Sequence, residues 1–200
     1  MMQTARAVVI LTVCGGLASC VPWTVRPIEP ETKAPQTAAA YVESIWASKL
    51  VPAVMSSAID ARVLLDGRAS YAGSCCFLVK GTGQVLAVDS SSRVGLAMVD
   101  IAPFDRKPDL SIQIGPVLRG NALRDATGIV RFTDFVNQLQ FADAGNEIND
   151  RVLKTVLAPL GKSIVSGSTI RFAGALEARE KTSPALAELV PVQLTVEAVR

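Results

Sequence analysis

The chain has 200 residues, 50% of them hydrophobic, 19% charged and 5% aromatic, with 20 basic against 18 acidic side chains, four cysteines and no histidine. That length supports one core of ordinary size, the hydrophobic fraction excludes a disordered chain, and no apolar run reaches the roughly 18 residues of a membrane-spanning helix. The lack of histidine excludes Ser-His-Asp and Cys-His catalysis and every histidine-ligated metal site.

The first element is an address. Arg6 precedes an apolar run from Ala7 to Leu17, and small residues follow at Ala18 and Ser19 before Cys20. A short basic region, an apolar stretch and a small-residue cleavage site make a secretory signal peptide. Leu17-Ala18-Ser19-Cys20 also resembles the bacterial lipobox, in which the cysteine is acylated and becomes the first residue. Residues 1–19 are therefore expected to be the lipoprotein signal peptide, with lipidation at Cys20 anchoring the chain to the membrane. The expected location is the periplasmic side of the envelope, and Val21 leans the sorting towards the outer membrane. Loss of Arg6 leaves 19 basic against 18 acidic side chains, a net charge of +1 that gives no footprint for nucleic acid.

Residues 21–37 contain four prolines and read as a tether, with Trp23 suited either to the membrane interface or to packing on the domain. Residues 38–200 then form the single expected domain. Val42, Ile45, Trp46 and Leu50 fall at helical spacing, and Pro52 suits the start of a second helix through Met55, Ile59 and Val63, ended by Asp66-Gly67. Cys75 and Cys76 read as two small buried hydrophobes on a strand, a strained bridge between neighbours, or a redox switch. Gly81-Thr82-Gly83 reads as a turn between strands. Alternation predicts strands at Val85–Asp89, after Ser90-Ser91-Ser92 at Val94–Ile101, and at Leu110–Ile114 with Ser111 and Gln113 on the opposite face. The spacing then predicts helices over Phe132–Gln140, capped by Thr133, and over Asn146–Leu160, closed by Pro159 and Gly161. Strands over Thr169–Leu176 and Val190–Val199 finish the chain. This order predicts an α+β fold. It is a small antiparallel, OB-like barrel or sheet, with an N-terminal helical pair and a helical insertion between strands three and four.

The segment from Ile114 reads Ile-Gly-Pro-Val-Leu-Arg-Gly-Asn-Ala-Leu-Arg-Asp-Ala, followed by Phe132-Thr-Asp-Phe-Val-Asn-Gln and Asn146-Glu-Ile-Asn. With Leu-Ala-Ser-Cys20, Tyr41, Trp46-Ala-Ser-Lys-Leu-Val-Pro52, Ser92-Arg93-Val94-Gly95 and Gly174, it resembles a bacterial family of predicted periplasmic lipoproteins of unknown function. The resemblance spans nearly the whole mature chain and departs at Cys75-Cys76-Phe77, where the family is richer in glycine. Members are often encoded beside sugar ABC transporters, which implies a sugar transporter component or a small sugar as partner.

Arg119, Asn121, Arg124, Asp125, Asp134, Asn137 and Gln138 are the candidate ligand-binding residues. Amides and a guanidinium fork give directional hydrogen bonds to sugar hydroxyls or a carboxylate, and Phe132, Phe135 or Phe141 offers an apolar platform. The same residues also suit ion pairs tying the 116–126 loop to the barrel and caps for the following helices, the reading the sequence favours. Gly161-Lys162-Ser163 ends like a phosphate-binding loop, but Val156 stands where its first glycine belongs. Asp89, Asp100, Asp125 and Asp134 are the carboxylates a hydrolase would have to pair. No catalytic motif, cofactor or metal is read from the sequence. The expected role is a non-enzymatic accessory or solute-binding protein of sugar transport; the alternative is an envelope scaffold that binds another protein and no small ligand.

Overall fold

The computed structural model describes residues 37–67, 76–177 and 187–197, all within one compact unit. The expected signal peptide, Cys20, Trp23, the tether up to residue 36 and Cys75 lie outside the described residues.

Among the described residues, six strands and five α-helices order the chain. The strands are β1 (Ile59–Asp60), β2 (Cys76–Asp89), β3 (Leu96–Ile101), β4 (Leu110–Gln113), β5 (Thr169–Glu177) and β6 (Glu188–Glu197). The helices are α1 (Ala38–Ile45), α2 (Val51–Ser57), α3 (Ala61–Leu65), α4 (Ala122–Thr127) and α5 (Gln138–Val152). Hydrogen bonding runs β2-β3-β4-β6-β5, and β5 pairs back onto β2, so these five strands close a ring. Pairings around it are antiparallel except β4 with β6, and β1 adds a short parallel pairing to β2. Mixed α+β architecture and the OB-like order with helices between the third and fourth ring strands agree with the sequence reading.

One long strand makes the closure possible. β2 pairs β5 through its first nine residues and β3 through its last seven, with a bulge between Val85 and Ala87. Gly81-Thr82-Gly83, expected as a turn, lies inside this strand. The reason is steric: a β-carbon on Gly83 would run into the Val99 side chain and the Asp100 carbonyl oxygen, so glycine marks a close strand crossing. Cys76 opens β2 and is buried, as the small-hydrophobe reading expects.

The barrel interior is aliphatic, with Val79, Val85, Val99, Leu110, Ile112, Ile170 and Leu189 fully buried. β4 is buried on both faces, so Ser111 and Gln113 are not solvent-facing as the alternation suggests. Ser111 donates its backbone N–H to the Ala187 carbonyl, and the Gln113 amide finds polar partners described below.

The helices depart further from expectation. Thr37 caps α1, its hydroxyl accepting from Ala40 N–H at 3.2 Å. A π turn at Trp46–Leu50 carries α1 directly into α2, so Pro52 sits in the first turn of α2 without separating two helices. The helix then stops at Ser57, because Ile59 and Asp60 pair with β2 and Asp60 caps a new helix, α3, by accepting from Arg62 N–H at 2.8 Å. The buried face carries Val54, Ala58, Ala61 and Leu64; the expected stripe of Met55, Ile59 and Val63 is more than a third exposed at each position. Residues 122–127, expected in a loop, form α4, which buries Ala122 and Leu123. Between Phe132 and Gln140 only Phe132–Asp134 turns, as a 3-10 helix, before Asn137 caps α5; Thr133 is not the cap. α5 absorbs the start of the second expected helix and ends in another π turn, Leu153–Leu157.

Candidate functional site

Two segments singled out in the sequence, Ser92–Gly95 and the run from Ile114, meet at one end of the barrel. Ile114 N–H bonds the Gly95 carbonyl at 3.0 Å, Gly115 N–H bonds Val94 at 2.6 Å, and Val117 N–H bonds Arg93 at 3.2 Å. Gly115 is required there, because a β-carbon would collide with the Val94 carbonyl oxygen. Gly95 turns the β2–β3 connection with φ of 55°, and Asp89 braces its start by accepting from Ser91 N–H at 2.8 Å. Hydrogen bonds from the Ser91 hydroxyl and backbone hold the Asp89 carboxyl below its usual range.

The result is an open groove lined by Ser90, Ser91, Ser92, Arg93, Gly95, Ile114, Gly115 and Pro116. Ser90 through Arg93 are exposed, and Arg93 makes no ion pair among the described residues. The Ser90 and Ser92 hydroxyls and the Arg93 guanidinium above a floor of backbone can donate to a polar solute, and Ser91, its proton given to Asp89, can accept from one.

The seven expected ligand residues do not line this groove. Behind it, the Arg119 guanidinium forks onto Glu188, with Nε to Oε2 at 2.8 Å and a second contact from Nη2 to Oε1. That hydrogen bond raises the Arg119 pKa above its ordinary value against the opposing effect of burial, and Glu177 adds to it. Gln113, 2% exposed, completes the tie: its Oε1 accepts Arg119 N–H at 2.8 Å while its Nε2 donates to Glu188 at 3.0 Å. Asn121 precedes α4 and accepts Asp125 N–H through its backbone carbonyl. Arg124 lies 4.0 Å over the Phe141 ring, donates from Nε to Asp125 at 2.8 Å and reaches the Phe141 carbonyl.

Asp134 reaches the same Phe141 cluster from another side, through Tyr41. It accepts from the Tyr41 hydroxyl at 3.0 Å and from Arg131 N–H at 3.2 Å. Burial would raise its pKa, but these bonds and the Arg131 charge prevail and lower it. Tyr41 is pushed up to about 12, first by burial and then by its bond to Asp134. Asn137 caps α5 by accepting Gln140 N–H at 2.9 Å, and Gln138 is exposed on that first turn. Phe132, Phe135 and Phe141 form one aromatic cluster with Tyr41, with neighbouring ring centroids 4.9 to 5.8 Å apart. Arg119 therefore serves a tie of its own, Arg124 and Asp134 flank the one aromatic cluster through Phe141 and Tyr41, and Gln113 and Glu188 are partners missed in the sequence. Glu188 lies 69 residues beyond Arg119, which no local pattern can signal.

A closed five-stranded ring with helices inserted after its third strand defines an OB-type barrel protein. The chain belongs to a family described as predicted periplasmic lipoproteins (DUF2291), whose model matches residues 8–195. Its fold is similar to the crystal structure of an OB-fold protein from Thermotoga maritima, at 19% identity and a TM-score of 0.61, covering 80% of this chain and 98% of that one. No curated protein matches the chain.

Proposed function

We propose that this protein is a non-enzymatic accessory of sugar uptake, anchored by lipid on Cys20, whose groove at Ser90–Gly95 and Ile114–Pro116 takes a small hydroxyl-rich solute. The supporting observation is the groove itself, where Ser90, Ser91, Ser92 and Arg93, which has no ion pair among the described residues, converge across Gly115 and Pro116. OB barrels commonly receive oligosaccharides or oligonucleotides at the loop joining their first two barrel strands, which is the position of Ser90–Gly95. A near-neutral net charge disfavours a nucleic acid, and the expectation that genes of this family lie beside sugar transporters favours a sugar. Val21 after the acylated cysteine favours the outer membrane.

A thermal-shift screen of the mature protein against pentoses, hexoses and polyols tests this reading. A sugar at 100 times its dissociation constant should stabilise the fold by about 2.7 kcal/mol, or roughly 5–10 °C. A flat screen of well-folded protein would transfer the proposal to the second reading, an envelope scaffold binding another protein. That reading draws on the internal pairing of Arg119, Arg124 and Asp134, and on an apolar groove lined by Trp46, Val51, Met55, Val156 and Val192.

A further inference from the structure

Eight consecutive residues, Phe132–Leu139, hold three large apolar side chains in water: Phe132 is 53% exposed, Val136 78% and Leu139 70%. Isolated exposed apolar residues are ordinary, but three within one rigid segment mark a contact surface. The segment is rigid because its polar groups are spent holding it. The Asp134 carboxylate accepts Arg131 N–H at 3.2 Å, Asp134 N–H bonds the Arg131 carbonyl at 3.0 Å, Tyr41 donates to Asp134, and Val136 N–H bonds the Gln140 side chain at 3.3 Å. Phe132 stacks edge-on to Phe141 while its remaining surface faces solvent.

What covers this wedge follows from where the chain enters the domain. Thr37 caps α1, and Tyr41, one turn later, both bonds Asp134 and packs its ring against Phe135 at 4.9 Å. The wedge thus sits against the first turn of the helix to which the anchor-bearing segment leads. From Cys20 to Thr37 the chain spans at most about 60 Å when fully stretched. A lipid-anchored domain is confined to that distance from the bilayer, so even a weak second contact forms at high effective concentration. Aromatic and aliphatic side chains beside an exposed cation suit the headgroup boundary, and Arg131, 72% exposed while reaching Asp134 at 3.4 Å, provides that cation.

We infer that Phe132, Val136 and Leu139 form a membrane-resting wedge that inserts shallowly into the phospholipid interface and orients the anchored barrel. The inference rests on the anchor at Cys20 and is independent of what the serine-lined groove binds. The lipidated protein is reconstituted in phosphatidylethanolamine–phosphatidylglycerol vesicles with a diazirine-bearing residue at position 136 or, as the comparison, at exposed position 91. After irradiation, phospholipid adducts are counted by mass spectrometry. Position 136 should give about tenfold more phospholipid adduct than position 91, and Phe132→Ser with Leu139→Ser should abolish the difference in protein that still melts cooperatively. Equal yields at the two positions on protein shown by mass to carry lipid at Cys20 would overturn the wedge alone. A dominant adduct to a second copy of the chain would also overturn it. Absence of lipid on Cys20 would overturn the anchor and the wedge together.

Discussion

Asn137 illustrates how a polar residue that looks like a ligand contact serves the backbone. Its side chain satisfies an otherwise orphaned N–H at the start of α5, at 2.9 Å from Gln140 N. Asn137→Ala should cost about 1 kcal/mol, lowering the melting temperature by roughly 2–4 °C, and Asn137→Ser should restore most of it. Calorimetry of the three proteins checks this; no loss in the alanine variant would remove Asn137 from the structural role. Tyr41 and Asp134 carry a pH dependence with a definite sign. Asp134 is held below its usual range, so its contribution is present above about pH 3.8 and fades as the pH falls through its folded-state value. Tyr41 is raised from 10.0 to about 12, so its contribution is intact below pH 10 and is lost as the pH climbs towards 12. Denaturant titrations between pH 9 and 12 should show wild type losing stability relative to Tyr41→Phe; parallel curves would contradict the assignment. The sequence made caps and ion pairs legible as types of residue at punctuated positions. It did not reveal Gln113 as buried, because its partner Glu188 is 75 residues away and only the closed ring brings the two together.

At the scale of elements, glycine placement separates what was legible from what was not. Gly81 and Gly83 look like a turn because glycine usually breaks strands, yet here Gly83 lets β2 pass close to β3 and Gly81 leaves room for the Phe172 ring of β5, so the strand continues. Gly83→Ala should therefore destabilise by about 1–3 kcal/mol, as overpacking at a close crossing does, measurable as a lower denaturation midpoint with an unchanged denaturant slope. A neutral substitution would show that the crossing has room. Helix boundaries were obscured for a related reason. Pro52 signals a start, but the π turn ahead of it lets α1 run into α2, while two residues of edge pairing at Ile59 and Asp60 interrupt a stripe that looks helical. α4 escaped notice because its six residues carry only two buried apolar side chains, too few to establish a period.

At the scale of the molecule, the α+β class and the place of the helical insertion were legible because strands with alternating residues flank a long amphipathic block. Ring closure was not, since the β2–β5 and β4–β6 pairings join segments far apart in sequence. The same long-range assembly relocates the candidate site, turning Arg119, Arg124 and Asp134 into internal ties and leaving the groove beside Arg93 open. Replacing Cys20 with Ala should move the protein out of the membrane fraction; persistence there would contradict the anchor. The groove is tested most directly by calorimetric titration of the best sugar from the screen into wild type, Arg93→Ala and Asn137→Ala. Binding should fall at least about tenfold in Arg93→Ala, the loss of one charge-assisted hydrogen bond, and remain unchanged in Asn137→Ala. Binding that survives Arg93→Ala, or disappears in a folded Asn137→Ala, would contradict the assignment of the solute groove.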